Sequence, residues 1–163
     1  MTLFFTNRRM HMLDISFGSK HPVEKQLSNF NPLTFKFDSI HCTCLEGPLQ
    51  AFKCADPAEQ ICICGLDGKS AKRKGRIHNT WKETQTLYWN GVTYERSGQA
   101  YQDLLDRLYD NAFNASSNFR ETLQKSCNVR LIHTIGSHDT HQTVLTVPEL
   151  TSRLYELRDR LRA

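Results

Sequence analysis

The apolar positions of this chain change period several times, and each change marks an element. Residues 12–17 (MLDISF) alternate well enough for a first strand, and residues 18–26 (GSKHPVEKQ) break the pattern as a loop does. Residues 33–45 read as a hairpin: LTFKF, a turn around Asp38-Ser39, then IHCTCL. From Leu45 the period turns helical, because Leu45, Leu49 and Phe52 share one face. Pro48 fits only a first turn, where its missing N–H has no intrahelical partner, so this helix starts at or just before Glu46. Helix is expected again over 55–64, with Ile61 and Cys64 inward. Trp81 and Tyr88, seven apart, fall on one helical face, and residues 90–99 read as loop. Tyr101, Leu104, Leu105 and Leu108 give a further helix, and Asn118 with Glu121 forms a cap for another, packed through Phe119 and Leu123. VRLIH (129–133) is a strand signal. Thr146 and Glu149 form a capping box, Pro148 lies in the first turn, and Leu150, Leu154, Leu157 and Leu161 make the stripe of the last helix.

Together these elements predict an α+β fold, several helices around a small sheet, in a single domain spanning 1–163. Hydrophobic residues at 39% and charged residues at 23% suit a soluble globular chain, and no apolar run is long enough to span a bilayer. The start, MTLFFTNRRM, places its apolar residues before the arginines and lacks a small-residue cleavage site, so a cytoplasmic protein is expected. Its six cysteines should then be reduced. A net charge of +4 favours anionic partners, nucleotides included, without demanding them.

Candidate chemistry gathers at the helix starting near Glu46. Glu46, Gln50 and Lys53 fall at i, i+4 and i+7, so one stripe carries carboxylate, amide and ammonium. The same spacing describes an ordinary solvated face. Downstream, KSAKRKGR holds Lys69, Lys72, Arg73, Lys74 and Arg76, either another solvated face or a phosphate site in which Arg supplies a planar fork. A P-loop is excluded, because the pattern ending at Gly68-Lys69-Ser70 requires glycine where Ile63 stands. Cys42 and Cys44, Cys62 and Cys64, with Cys54 between, offer thiols to zinc, but C-x-C is a poor zinc spacing and buried thiols also serve as small hydrophobes. No metal is expected from them. His133, His138, His141 and Asp139 read as a solvated loop or as metal ligands. The aromatic group Trp81, Tyr88 and Trp89 reads as core or as a stacking platform for a base.

The order of these motifs resembles the NADAR or YbiA-like family of small N-glycosidases. LSNFNPLTF (27–35) is similar to its SNF-x-P segment, Glu46 to Lys53 to its E-x-x-x-Q-x-x-K helix start, and Gly75-Arg76 to its GR pair. Trp81 matches the family tryptophan, and LYELRDRL (154–161) the C-terminal helix. The resemblance implies that Glu46 and Lys53 are catalytic, and that Ser28, Asn29, Phe30, Gln50, Gly75, Arg76 and Trp81 meet the substrate, with Arg73 of the basic run as a further phosphate contact. Phe30 would stack on a flat ring while Asn29 hydrogen-bonds. Bottom-up, Asn29 equally serves a turn and Phe30 a core. The chain departs from the family over 134–147, where Ile135-Gly136 and Asp139 occur without the expected tryptophan or the G-x-N-x-LG segment. Asp139 is a candidate second acid.

The expected function is hydrolysis of an N-glycosidic bond in a phosphorylated ribosyl or ADP-ribosyl compound, with no cofactor. Family resemblance implies two substrate classes, riboflavin-pathway intermediates and ADP-ribose on a guanine base; mild basicity and the aromatic group favour the second, with ADP-ribosylated nucleic acid as a candidate partner. A polar cleft is expected beside Glu46, which would stabilise or attack an oxocarbenium-like centre. The rivals are a non-catalytic nucleotide or nucleic-acid binding module and a zinc-stabilised interaction domain.

Overall fold

The computed structural model describes residues 11–162, so the reading of MTLFFTNRRM lies outside the described part. Its strands form three two-stranded sheets. β1 (Met12–Asp14) pairs in parallel with β6 (Arg130–Ile132), bringing the two ends of the domain together. β2 (Phe35–Phe37) and β3 (Ile40–Cys42) form the expected hairpin, with Asp38 and Ser39 both at positive φ, as a tight two-residue turn requires. β4 (Thr86–Trp89) and β5 (Val92–Glu95) form a second hairpin through Asn90-Gly91, again at positive φ. Tyr88 is therefore a strand residue rather than a helical partner of Trp81, and residues 92–95 are strand rather than loop.

Among the described residues eight helices surround these hairpins: α1 (Pro22–Gln26), α2 (Glu46–Ala51), α3 (Pro57–Cys64), α4 (Gly68–Gly75), α5 (Trp81–Thr84), α6 (Gln99–Ala115), α7 (Ser117–Lys125) and α8 (Val147–Arg160). α1 replaces the loop expected there; His21 caps it and Pro22 opens it. In α3 Cys64 is buried as expected, but Ile61 is exposed, because Gln60, Ile63 and Cys64 form the inward face. α7 is capped by Ser116, whose hydroxyl accepts from the Phe119 N–H, not by Asn118. In α8 the Thr146–Glu149 capping box is present and Leu150, Leu154 and Leu157 are buried. No described helix is long and apolar enough to cross a membrane.

One hydrophobic cluster runs from Leu13 to Leu157. At its centre Trp89 stacks on Phe37 with ring centroids 5.0 Å apart and meets the edge of Phe52, which touches Tyr101 in turn. The Trp89 indole N–H donates to Asp38 at 2.8 Å, and Arg107 holds the same carboxylate. These contacts lock both hairpins and α6 onto the end of α2. Deeper still, Arg96 makes a two-pronged ion pair with Glu149, joining β5 to the α8 cap. Burial disfavours the Glu149 carboxylate, but Arg96, the Thr146 N–H and the Gln102 amide outweigh that and hold its pKa at about 2.

Candidate functional site

α2 is short and buried on every side. Leu45, Leu49 and Phe52 face the core as their spacing predicts, yet Glu46 is only 9% exposed and Gln50 4%. An ordinary solvated face would leave both in water. The covering element is α4, whose small residues Gly68, Ala71 and Gly75 line its buried side. A Cβ on Gly75 would collide with the Gln50 amide, and one on Gly68 would sit 2.8 Å from Phe30. Glycine at these two positions therefore lets α4 close over the polar stripe of α2.

Within this closure Gln50 Nε2 donates to Glu46 Oε1 at 2.7 Å, while Gln50 Oε1 has no partner. The Glu46 N–H donates to the Asn29 carbonyl at 3.0 Å, and the Asn29 side-chain oxygen accepts from the Tyr109 hydroxyl at 2.7 Å. The SNF segment is thus pinned against the start of α2 and against α6. Ser28 takes the Phe30 N–H in a local turn. The Phe30 ring lies beside Phe17, with Lys72 Nζ 5.6 Å from its centroid.

Burial pushes the Glu46 carboxyl above the usual carboxylate range, against the Gln50 hydrogen bond and the charges of Lys72 and Lys53. Lys53, half-buried just past the end of α2, is pulled down to about 8. Burial is the main cause; Glu46 opposes it, and the cations Lys82, Lys72 and Arg76 reinforce it. Lys72, Arg76 and Lys82 are exposed. A shielded carboxyl thus sits beside Lys72 and Lys53, with Arg76 and Lys82 acting on Lys53, and among the described residues it has no salt bridge.

The structure brings Asn29, Phe30, Glu46, Gln50, Lys53, Gly75 and Arg76 together. Arg73 is exposed and interacts with the charge of Asp67, at the far end of α4. Trp81 is buried, with its indole N–H unpartnered, and offers no open ring face. Asp139 is exposed and accepts the His141 N–H within its own loop. Sequence reasoning placed Lys72 only in the candidate phosphate run and passed over Lys82 and Tyr109 as site residues. Lys72 had a signal, since it lies one turn before Arg76; Tyr109, distant in sequence, had none. The polar cleft expected beside Glu46 is nearly closed over by α4. A groove of about 550 Å³ between Asn31–Thr34 and α7, and a cavity of about 120 Å³ between α6 and α8, both lie away from Glu46.

Residues 22–159 match the family described as Bacteriophage protein GP30.3. The chain belongs to that family. A relative in Enterobacteria phage T4, an uncharacterized 17.1 kDa protein from the Gp30-rIII intergenic region, is 37% identical over 136 residues, covering 83% of this chain and 90% of its own. The NMR structure of the E. coli protein YbiA superposes with a TM-score of 0.59 at 17% identity, covering 95% of this chain and 90% of that one. The GP30.3 chain therefore has the YbiA fold, the α+β architecture to which its motif order pointed. The family match spans α1 to within one residue of the end of α8 and includes every proposed site residue.

Proposed function

We propose that this GP30.3-family protein is an N-glycosidase that hydrolyses the bond between ribose and a base in a phosphorylated ribosyl or ADP-ribosyl compound. ADP-ribose on guanine is the preferred substrate, including guanine in nucleic acid. The observation that carries the reading is Glu46. A buried carboxyl without a salt bridge costs stability, and a fold keeps such a group where chemistry uses it.

The substrate phosphates meet Lys72, Arg76 and Lys82, which are exposed and free to rearrange around an anion. As the bond from C1′ to the base nitrogen breaks, its electron pair leaves with the base, and C1′ acquires oxocarbenium character. A carboxyl held above its usual pKa can protonate the departing base and then, ionised, stabilise the cation beside it. Water supplies hydroxide to C1′, and its remaining proton restores the carboxyl. Gln50 orients Glu46 throughout, and Lys53 binds the ribose hydroxyls.

Incubation with an ADP-ribosylated guanine oligonucleotide and with a phosphoribosyl N-glycoside of the riboflavin-pathway type, followed by chromatography of the products, tests this. Free ADP-ribose, or a free base with ribose phosphate, is the expected product. The exposed cations of α4 favour one rival, a nucleic-acid binding module. Binding with steep salt dependence and no cleavage of either substrate would establish it instead.

A further inference from the structure

On the far side of α2 from the SNF segment, three side chains from three separate stretches converge. Cys54 leaves the end of α2, Glu59 lies in the first turn of α3, and His78 follows the end of α4. Cys54 Sγ is 3.5 Å from Glu59 Oε2, and His78 Nε2 is 3.1 Å from Glu59 Oε1. One ligand atom from each of the three lies within 4.8 Å of the others. We infer that Cys54, Glu59 and His78 form a binding site for a divalent transition metal of the zinc class, which pins the end of α2 to α3 and to the end of α4.

The chemistry of the donors selects the class of ion. A thiolate, an imidazole and a carboxylate suit zinc, whereas magnesium and calcium prefer oxygen alone. Bond lengths of about 2.0–2.3 Å around a tetrahedral zinc put its ligand atoms about 3.4–3.6 Å apart. Two separations, 3.5 Å to Glu59 Oε2 and 3.1 Å to Glu59 Oε1, are close to those edges, and the Cys54–His78 edge, within 4.8 Å, closes by side-chain rotation. Three protein ligands leave a fourth position for water.

The surroundings hold the donors in place. Buried Gln60, next to Glu59, donates from Nε2 to the carbonyls of Ala51, Cys54 and Tyr88, and its Oε1 accepts the Asn90 N–H. One amide therefore fastens the Cys54 backbone to α3 and to the second hairpin. The His78 N–H donates to the Gly75 carbonyl at the close of α4. This is not the set that the C-x-C spacing brought forward. Cys62 is exposed whereas Cys42, Cys44 and Cys64 are buried, so those pairs do not present four thiols together. Without a metal the same three residues are a half-buried Glu59–His78 hydrogen bond beside a buried thiol.

Titration of the metal-free full-length protein with Co²⁺ decides between the two. The expected result is saturation at one ion per chain, with a thiolate-to-cobalt charge-transfer band that Zn²⁺ abolishes by displacement. His78→Ala, at a half-exposed position, should weaken binding at least about tenfold, and Cys54→Ser should remove the band. Cys62→Ser, at the exposed thiol, should keep both. Zn²⁺ should raise the melting temperature of the parent protein and leave that of His78→Ala unchanged. Absence of saturable binding, or a band that survives Cys54→Ser and His78→Ala, would overturn the proposal.

Discussion

Replacing Glu46 with Gln removes a charge and a titrating proton while keeping the shape. Gln50 Nε2 still finds an oxygen where Glu46 Oε1 lies at 2.7 Å, and α4 still closes over the pair. Exchanging a charged for a neutral acceptor weakens that hydrogen bond by about 1 kcal/mol. Relief from burying a carboxyl offsets the loss, since burial dominates the Glu46 environment. The melting temperature near pH 7 should therefore not fall. Because the folded pKa lies above the ordinary value of 4.5, stability from this group is fully present below that value and is lost as pH rises through the folded pKa. The variant should thus gain on the parent as pH is raised from 4 to 8. Catalysis should respond differently. Removing a stabiliser of developing charge costs about 2.7 kcal/mol, so kcat should fall on the order of 10²-fold or more while substrate affinity changes little. Product chromatography over a time course gives the first measurement and calorimetric melting the second. Glu121→Gln, exposed on α7, serves as the control. Near-normal turnover with reduced stability would show that Glu46 only holds α2 in place, and the glycosidase reading would fall with it.

Three further outcomes test the groups near Glu46 and Lys53. Lys72→Ala and Arg76→Ala should each weaken binding of ADP-ribose at least roughly tenfold, the loss of one charge-assisted hydrogen bond, whereas Arg73→Ala should change it less than about twofold in the same titration. Equal effects at all three positions would mean that α4 acts only as a diffuse charge. Gly75→Ala puts a methyl group into the Gln50 amide and should destabilise the fold by about 1–3 kcal/mol in urea melts; an unchanged midpoint would show that α4 stands further from α2 than described. Affinity for ADP-ribose should fall as pH rises through about 8, where Lys53 loses its charge, and Lys53→Met should flatten that step in the pH profile.

What the sequence disclosed about the fold followed the strength of each local signal. The α8 cap was legible because Thr146 and Glu149 satisfy each other's backbone groups, a purely local arrangement. The first hairpin was legible from alternation alone. The second was missed although Asn90-Gly91 carries a strong turn signal, because Trp81 and Tyr88 suggested a helical period across what is really a short helix, a left-handed Gln85 and a strand. Two aromatics seven apart satisfy a helix and also a helix broken by a turn, and spacing alone does not separate them. α1 escaped for the opposite reason: five residues are too few to show a period, and only the His21 cap and Pro22 announce it.

The site itself was half legible, for a reason that concerns two helices rather than one. Glu46, Gln50 and Lys53 could be placed on one stripe, but a stripe of polar residues faces water only where nothing covers it. The covering information lay some twenty residues away, in Gly68, Ala71 and Gly75, small residues at i, i+3 and i+7 of a helix otherwise full of cations. Counted by charge, that helix reads as a solvated face; counted by side-chain size, it reads as a surface made for close approach. The second count also sorts the cations, because the helical period carries Lys72 to the Glu46 side, sets Arg76 near Lys53 and leaves Arg73 with Asp67. Burial of a carboxyl is therefore a property of the pair of patterns, polar on α2 and small on α4, and neither pattern alone contains it.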